Sequence, residues 1–202
     1  MKFRHLYMFA CVVVLLGGAS CIVSSSLNYG DKDTEGALNL LSNPGFRAYT
    51  LDSDAALVGW TVQSDTIDPK NMRVVIDGTE ASEGNSSLRI DASKHSVILL
   101  SDAFRVRRYG GYYARIRARS SQVQGPQITV RFMAFSETGG IISRQKSRLK
   151  TNQDWKKGSV SSGFHKPGVS FGRLQIIIPP FSQGSLWLDD AGCWEVQNFR
   201  ID

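Results

Sequence analysis

From Asn39 onward, apolar and polar residues alternate in short runs separated by Gly, Pro, Asn and Ser, and no stretch keeps a helical period beyond two turns. A period of two marks a strand with one face against a core. Strands are predicted at 72–76, 87–92, 97–100, 112–119, 127–135, 141–150, 155–160, 173–178 and 185–195. Pro179-Pro180 ends one of them, because proline has no ladder donor. Thr138-Gly139-Gly140 suits a hairpin turn. Short strands at near-regular spacing predict an all-β antiparallel sandwich or barrel.

The alternation also assigns faces. In 112–119, Tyr112, Ala114, Ile116 and Ala118 suit a core, leaving Tyr113, Arg115, Arg117 and Arg119 outside. In 128–135, Ile128, Val130, Phe132 and Ala134 point in, and Thr129, Arg131, Met133 and Phe135 point out. In 173–178, Leu174, Ile176 and Ile178 point in, and Arg173, Gln175 and Ile177 point out. Trp187 and Trp194 are seven apart and would face opposite ways on an unbroken strand, with Trp187 the outward one.

The N-terminus has another pattern. Lys2, Arg4 and His5 precede an apolar run, Leu6 to Leu16, and then the small residues Gly17, Gly18, Ala19 and Ser20. That is the layout of a secretory signal peptide, and the run is too short for a span of about 20 residues. Gly18-Ala19-Ser20-Cys21 resembles the lipobox of bacterial lipoproteins, although Gly18 stands where leucine is usual. The resemblance implies cleavage before Cys21 and a lipid anchor on it in the bilayer. Ile22 replaces the aspartate that would signal inner-membrane retention, which points to the outer membrane. The expected organisation is a leader at 1–20, a lipidated cysteine with a polar, flexible tether at 21–38, and one domain at 39–202. Cys11 is lost with the leader, so Cys193 is left without a disulfide framework and reads as a small buried apolar residue.

Net charge is +6, and two of the basic residues, Lys2 and Arg4, leave with the leader. The remaining excess is mild. The nearest basic clusters, Arg105-Val106-Arg107-Arg108 and Lys156-Lys157, are short and interrupted, which argues against nucleic acid as a partner.

A second resemblance covers about residues 39–197. Asn39-Leu40-Leu41-Ser42-Asn43-Pro44-Gly45-Phe46 followed by Gly59-Trp60 resembles the opening of carbohydrate-binding modules of families 4, 9 and 22, which have a galactose-binding-like jelly roll. Gly78 to Ile90, Tyr109 to Ala118, Phe135 to Gly140, Trp155 and Leu186-Trp187-Leu188-Asp189-Asp190-Ala191 resemble later motifs in the same order. The implied fold is a jelly-roll β-sandwich of two antiparallel sheets.

The resemblance also implies a structural Ca²⁺ between the opening turn and the closing Asp-Asp. Asp189 would be its side-chain ligand, with backbone oxygens near Asn43 and Gly45. Arg47 stands where the family has glutamate, and its charge opposes a cation there. If strands 112–119, 127–135 and 173–178 are neighbours, Tyr113, Arg115, Arg117, Arg131, Arg173 and Gln175 form one face, with Trp187 at the rim. Arginine forks recognise carboxylate, sulfate or phosphate, and tyrosine offers a platform to a sugar ring. The expected ligand is an anionic polysaccharide or oligosaccharide. The alternative is an ordinary solvated face whose arginines pair with nearby Asp and Glu.

No G-x-S-x-G or H-E-x-x-H motif occurs. Asp189 and Asp190 are adjacent and cannot flank one glycosidic bond. The expectation is a non-catalytic, carbohydrate-binding lipoprotein of the envelope. The competing reading is a structural or assembly lipoprotein that binds an envelope protein, and a small glycan hydrolase stands third.

Overall fold

A computed structural model describes residues 28–47, 57–64 and 73–198. The leader and Cys21 lie outside these residues. A single 3₁₀ turn, η1 (Asp31–Thr34), is followed by eleven strands: β1 (Trp60–Ser64), β2 (Val74–Asp77), β3 (Ser87–Ser93), β4 (Val97–Ser101), β5 (Phe104–Arg105), β6 (Gly110–Ser120), β7 (Gln127–Ser136), β8 (Ile141–Lys150), β9 (Lys156–Gly163), β10 (Val169–Ile178) and β11 (Phe181–Asn198). Every predicted strand is present. β1 and β5 are additional.

All pairings are antiparallel. Sheet one runs β1-β4-β10-β7-β8, with β5 also on β10, and sheet two runs β2-β3-β11-β6-β9. The sheets form the expected jelly-roll sandwich. Its core is built from the inward sets: Ile128, Val130, Phe132, Leu174, Ile176, Ile178, Val97 and Leu99 from sheet one, against Tyr112, Ala114, Ile116, Leu88, Ile90, Leu186 and Leu188 from sheet two. Removing each large apolar side chain from water contributes about 1.5–3 kcal/mol. The Tyr112 ring stacks on Phe132 at 5.5 Å, and its hydroxyl accepts the Arg107 amide at 2.7 Å. Gly172 is required at the β10–β5 crossing, because a Cβ there would stand 2.7 Å from Val106 and 2.8 Å from Phe104.

β11 is interrupted. Asp189 pairs with Arg117 but Gly192 pairs with Arg115, so one extra residue enters between them, and Asp190 takes φ +48. This β-bulge reverses the pleat. Leu186 and Leu188 point inward before it, and Ala191 and Cys193 after it. Trp187 pairs with Arg119 and Trp194 with Tyr113, so both indoles lie on the outer face, not on opposite faces as an unbroken strand requires. Cys193 is fully buried and forms no disulfide, and burial pushes its thiol well up. Trp155 is half-buried just before β9.

Residues 28–38, expected as tether, are packed against sheet two. The Tyr29 amide donates to Ser161 Oγ at 3.0 Å, and Asp31 is held by β6 and β9.

His165 is 4% exposed, stacked on Phe132 at 5.9 Å, with Nδ1 against Ser143 Oγ at 3.1 Å and Nε2 without a partner. Desolvation lowers its pKa. The unfolded chain therefore binds a proton near pH 6.5 that the folded chain refuses, so stability falls as pH drops below about 6.5. Thermal denaturation is expected to show a loss of several degrees between about pH 7.5 and pH 5, with His165→Gln flattening that slope. An unchanged slope in the variant would refute the assignment.

Candidate functional site

The expected composite face divides between the two sheets. Tyr113, Arg115, Arg117 and Trp187 lie on sheet two, and Arg131, Arg173 and Gln175 on sheet one, because β6 pairs with β11 and β9 and not with β7 or β10. Strand faces were legible from the alternation. Strand neighbours were not.

The two outer faces are electrostatic opposites. On sheet two every arginine of β6 meets a carboxylate. Arg115 contacts Asp31 and Asp190, each at 2.9 Å; Arg117 contacts Asp190 at 3.2 Å; Arg119 contacts Glu80. On β3, Arg89 contacts Asp77 and Asp91, each at 3.1 Å. The aromatics are drawn into this network. Arg115 lies 5.1 Å over Trp194, Arg119 lies 5.8 Å over Trp187, and the Trp187 indole N–H donates to Asp77 at 3.0 Å. The hydrogen bonds from Thr79 and Trp187 lower the Asp77 pKa far below the usual carboxylate range. This face is the paired, solvated one that the alternative reading described.

The strands of sheet one contain no Asp or Glu. Their outer face carries Arg105, Arg131 and Arg173, with Arg144, Lys146, Arg148 and Lys150 at every second position of β8. None of these forms an ion pair among the described residues. The register aligns Arg173, Met133 and Arg144 in one row across β10, β7 and β8, and Gln175, Arg131 and Lys146 in the next. Arg131 Nη1 donates to Gln175 Oε1 at 2.8 Å, and Arg173 Nη1 donates to the Ser101 carbonyl at 3.0 Å, so both guanidinium groups are oriented with donors to spare. At the end of the rows Phe135 and Phe171 stack at 5.0 Å, tilted by 12°. Oriented arginines, an amide and a flat aromatic pair thus share one face. The β8 residues and Phe171 were not among the predicted site residues, although the period-two spacing of the four β8 cations was readable.

The proposed calcium position forms a small cleft lined by Asn43, Gly45, Arg47, Glu83 and Asp189. Its residues do not suit the ion. Asp189 is fully buried, and its Oδ2 accepts the Ser82 and Glu83 amides at 2.7 and 2.8 Å, while Oδ1 accepts the Asp190 amide at 2.7 Å. Asn43 Oδ1 accepts the Arg47 amide at 2.9 Å, and its carbonyl accepts the Trp60 indole N–H at 3.0 Å. The Arg47 side chain lies against Gly45 and Gly84, where a Cβ would collide with it. Hard-cation sites need free oxygens, and here the oxygens are engaged and a cation is already present. Among the described residues no group of three or more His, Cys, Asp or Glu could hold a metal.

With this geometry in place, the comparisons with known proteins bear on the fold. No family model and no curated protein matches the chain. A family 61 carbohydrate-binding module in complex with β-1,4-galactotriose is 16% identical, over 78% of this chain and 99% of its own, with a TM-score of 0.55. The family 22 xylan-binding domain from Paenibacillus barcinonensis is 13% identical, over 77% of this chain and 93% of its own, with a TM-score of 0.51. The enzymatically active domain of tailspike protein 4 from bacteriophage CBA120 has a TM-score of 0.62 at 8% identity, and the match covers 77% of this chain but 21% of that one. The chain has the β-sandwich fold of carbohydrate-binding modules.

Asp189→Ala is expected to lower stability by about 3 kcal/mol or more, since it strands three amides, as measured by chemical denaturation. Millimolar calcium or a chelator is expected to leave the melting temperature unchanged. A calcium-dependent rise would restore the metal site.

Proposed function

We propose that this protein is a non-catalytic carbohydrate-binding protein that holds anionic glycans on the outer face of sheet one, and that Cys21 carries the lipid that anchors it, exported, in the outer membrane. The observation that carries the binding reading is the segregation of charge. Sheet two neutralises its arginines internally, while sheet one presents oriented arginines with no acidic residue on its strands. Uncompensated like charge on one face is unfavourable for the free fold, and an anionic ligand relieves it. Arg131 and Arg173 supply forked donors for carboxylate or sulfate, Gln175 orients Arg131, and the β8 cations extend the field along the edge. The Phe135–Phe171 pair offers a flat apolar surface for a sugar ring. The leader reading rests on the basic head, the apolar run and the small residues before Cys21.

The test is a glycan array followed by titration calorimetry. Uronic-acid or sulfated oligosaccharides are expected to bind, more weakly as salt rises. Arg131→Ala and Arg173→Ala should each reduce affinity about tenfold or more, while Arg117→Ala on sheet two changes it less than about twofold. A blank array, or equal competition by a single-stranded oligonucleotide of the same charge, would overturn the reading. Mass spectrometry of the membrane fraction tests the anchor: the mature chain should begin at Cys21 with acyl chains attached.

A further inference from the structure

The chain brings its own carboxylate to sheet two. Residues 28–37 lie across the outer face of β6 and β9 as a strap. Tyr29 rests on Gly111, where any Cβ would collide with its phenol, and its hydroxyl donates to Gln197 at 3.2 Å. The η1 turn then presents Asp31. Its Oδ1 accepts the Tyr113 hydroxyl at 3.0 Å and Arg115 Nη1 at 2.9 Å, and its Oδ2 accepts Lys157 Nζ at 2.5 Å. Burial works against the charged form, but the hydrogen bonds from Lys157, Arg115 and Tyr113 prevail and hold the Asp31 pKa at about 2.

The receptor and its occupant are unequally built. Tyr113 stacks on Trp194 at 6.1 Å. Arg115 is oriented independently of Asp31 by Asp190 at 2.9 Å and by the Trp194 ring. Trp194 is set flat by Gly192, where a Cβ would collide with the indole. The strap has none of this support. No residue of η1 is buried, and Leu38 beyond it is 82% exposed. Polar pairs at a wet surface are each worth about 0–1 kcal/mol, so the strap is held weakly on a preorganised site.

We infer that Tyr113, Arg115 and Lys157 form a carboxylate-binding site which the chain closes with its own Asp31, and which takes the carboxylate of a uronic-acid sugar when the strap lifts. Tyr113 lies beneath this carboxylate, stacked at 6.1 Å on a Trp194 ring whose own face Arg115 covers, so the ring of such a sugar would rest on Tyr113. This site is separate from the sheet-one face, and its test does not depend on that reading.

Two variants free the strap by different means. Asp31→Ala removes the internal carboxylate, and Gly111→Ala expels Tyr29 without touching the receptor. Hydrogen exchange on the full chain is expected to rise about tenfold over residues 28–38 in both. Sodium glucuronate should raise exchange over the same residues in the unaltered protein, and should bind both variants about tenfold more tightly than it, since the internal carboxylate is removed in one and displaced in the other. Acetate, which lacks the ring, should bind at least about tenfold more weakly than glucuronate, a difference of about 1.4 kcal/mol. Unaltered exchange in both variants would overturn the strap. Freed exchange with no gain in glucuronate affinity, or equal binding of acetate, would overturn the sugar-carboxylate site.

Discussion

The bulge at Asp190 in β11 sets the arrangement of sheet two. An eighteen-residue strand running through the middle of a sheet must keep its apolar positions on the core side for its whole length. Here the first half does so with Leu186 and Leu188 and the second half with Ala191 and Cys193, a change of phase that only an inserted residue permits. Asp190 accepts the left-handed conformation that this requires. Its carboxylate meets Arg115 and Arg117, and the neighbouring Asp189 fixes the loop at Ser82 and Glu83. The same change of phase brings Trp187 and Trp194 to one side. The charged and aromatic network on the outer face of sheet two therefore depends on a feature of the core-side packing.

Much of the fold was legible because the strands are long and cleanly alternating. β6, β7 and β10 each showed their inward set, and those residues form the core. Three things were hidden, each for a physical reason. The bulge has no sequence mark, since the residue with positive φ is aspartate, and Gly192 two positions later is needed for Trp194 and not for the turn. The grouping of strands into sheets is decided by non-local pairing, so Arg115 and Arg131 could be placed on outer faces but not on different ones. Residues 28–37 read as linker because their docking uses single charges and hydrogen bonds to partners far along the chain, such as Asp31 with Arg115 and Lys157. Hydrophobic periodicity does not register such contacts.

The opening and closing motifs led to the right fold, while the residues at the point where they meet do not suit the expected ion. Asp189 occupies the position expected of a metal ligand, yet three backbone amides saturate it and Arg47 lies in the cleft. The departure at residue 47 was visible in the sequence, and the saturation of Asp189 was not, because amide donors from a neighbouring loop carry no side-chain signature. On sheet one the reverse holds. Its basic face is assembled by register from residues that are scattered along the chain, so no run of Lys or Arg announces it. The four cations of β8 also serve the fold, since charge along an exposed edge strand discourages another chain from pairing there.

The docking of residues 28–37 has a geometric consequence. The chain enters the domain at the edge where β8 and β9 lie side by side, Asn28 and Tyr29 lining a shallow cleft with Gln145, Lys146, Ser159 and Ser161, and only then crosses the outer surface of sheet two. Whatever is joined ahead of Asn28, a surface or a pulling force, therefore meets the fold beside the basic edge strand β8. Point of entry and basic row thus share one edge of the sandwich, so a load on the chain is felt first at the seam between the two sheets.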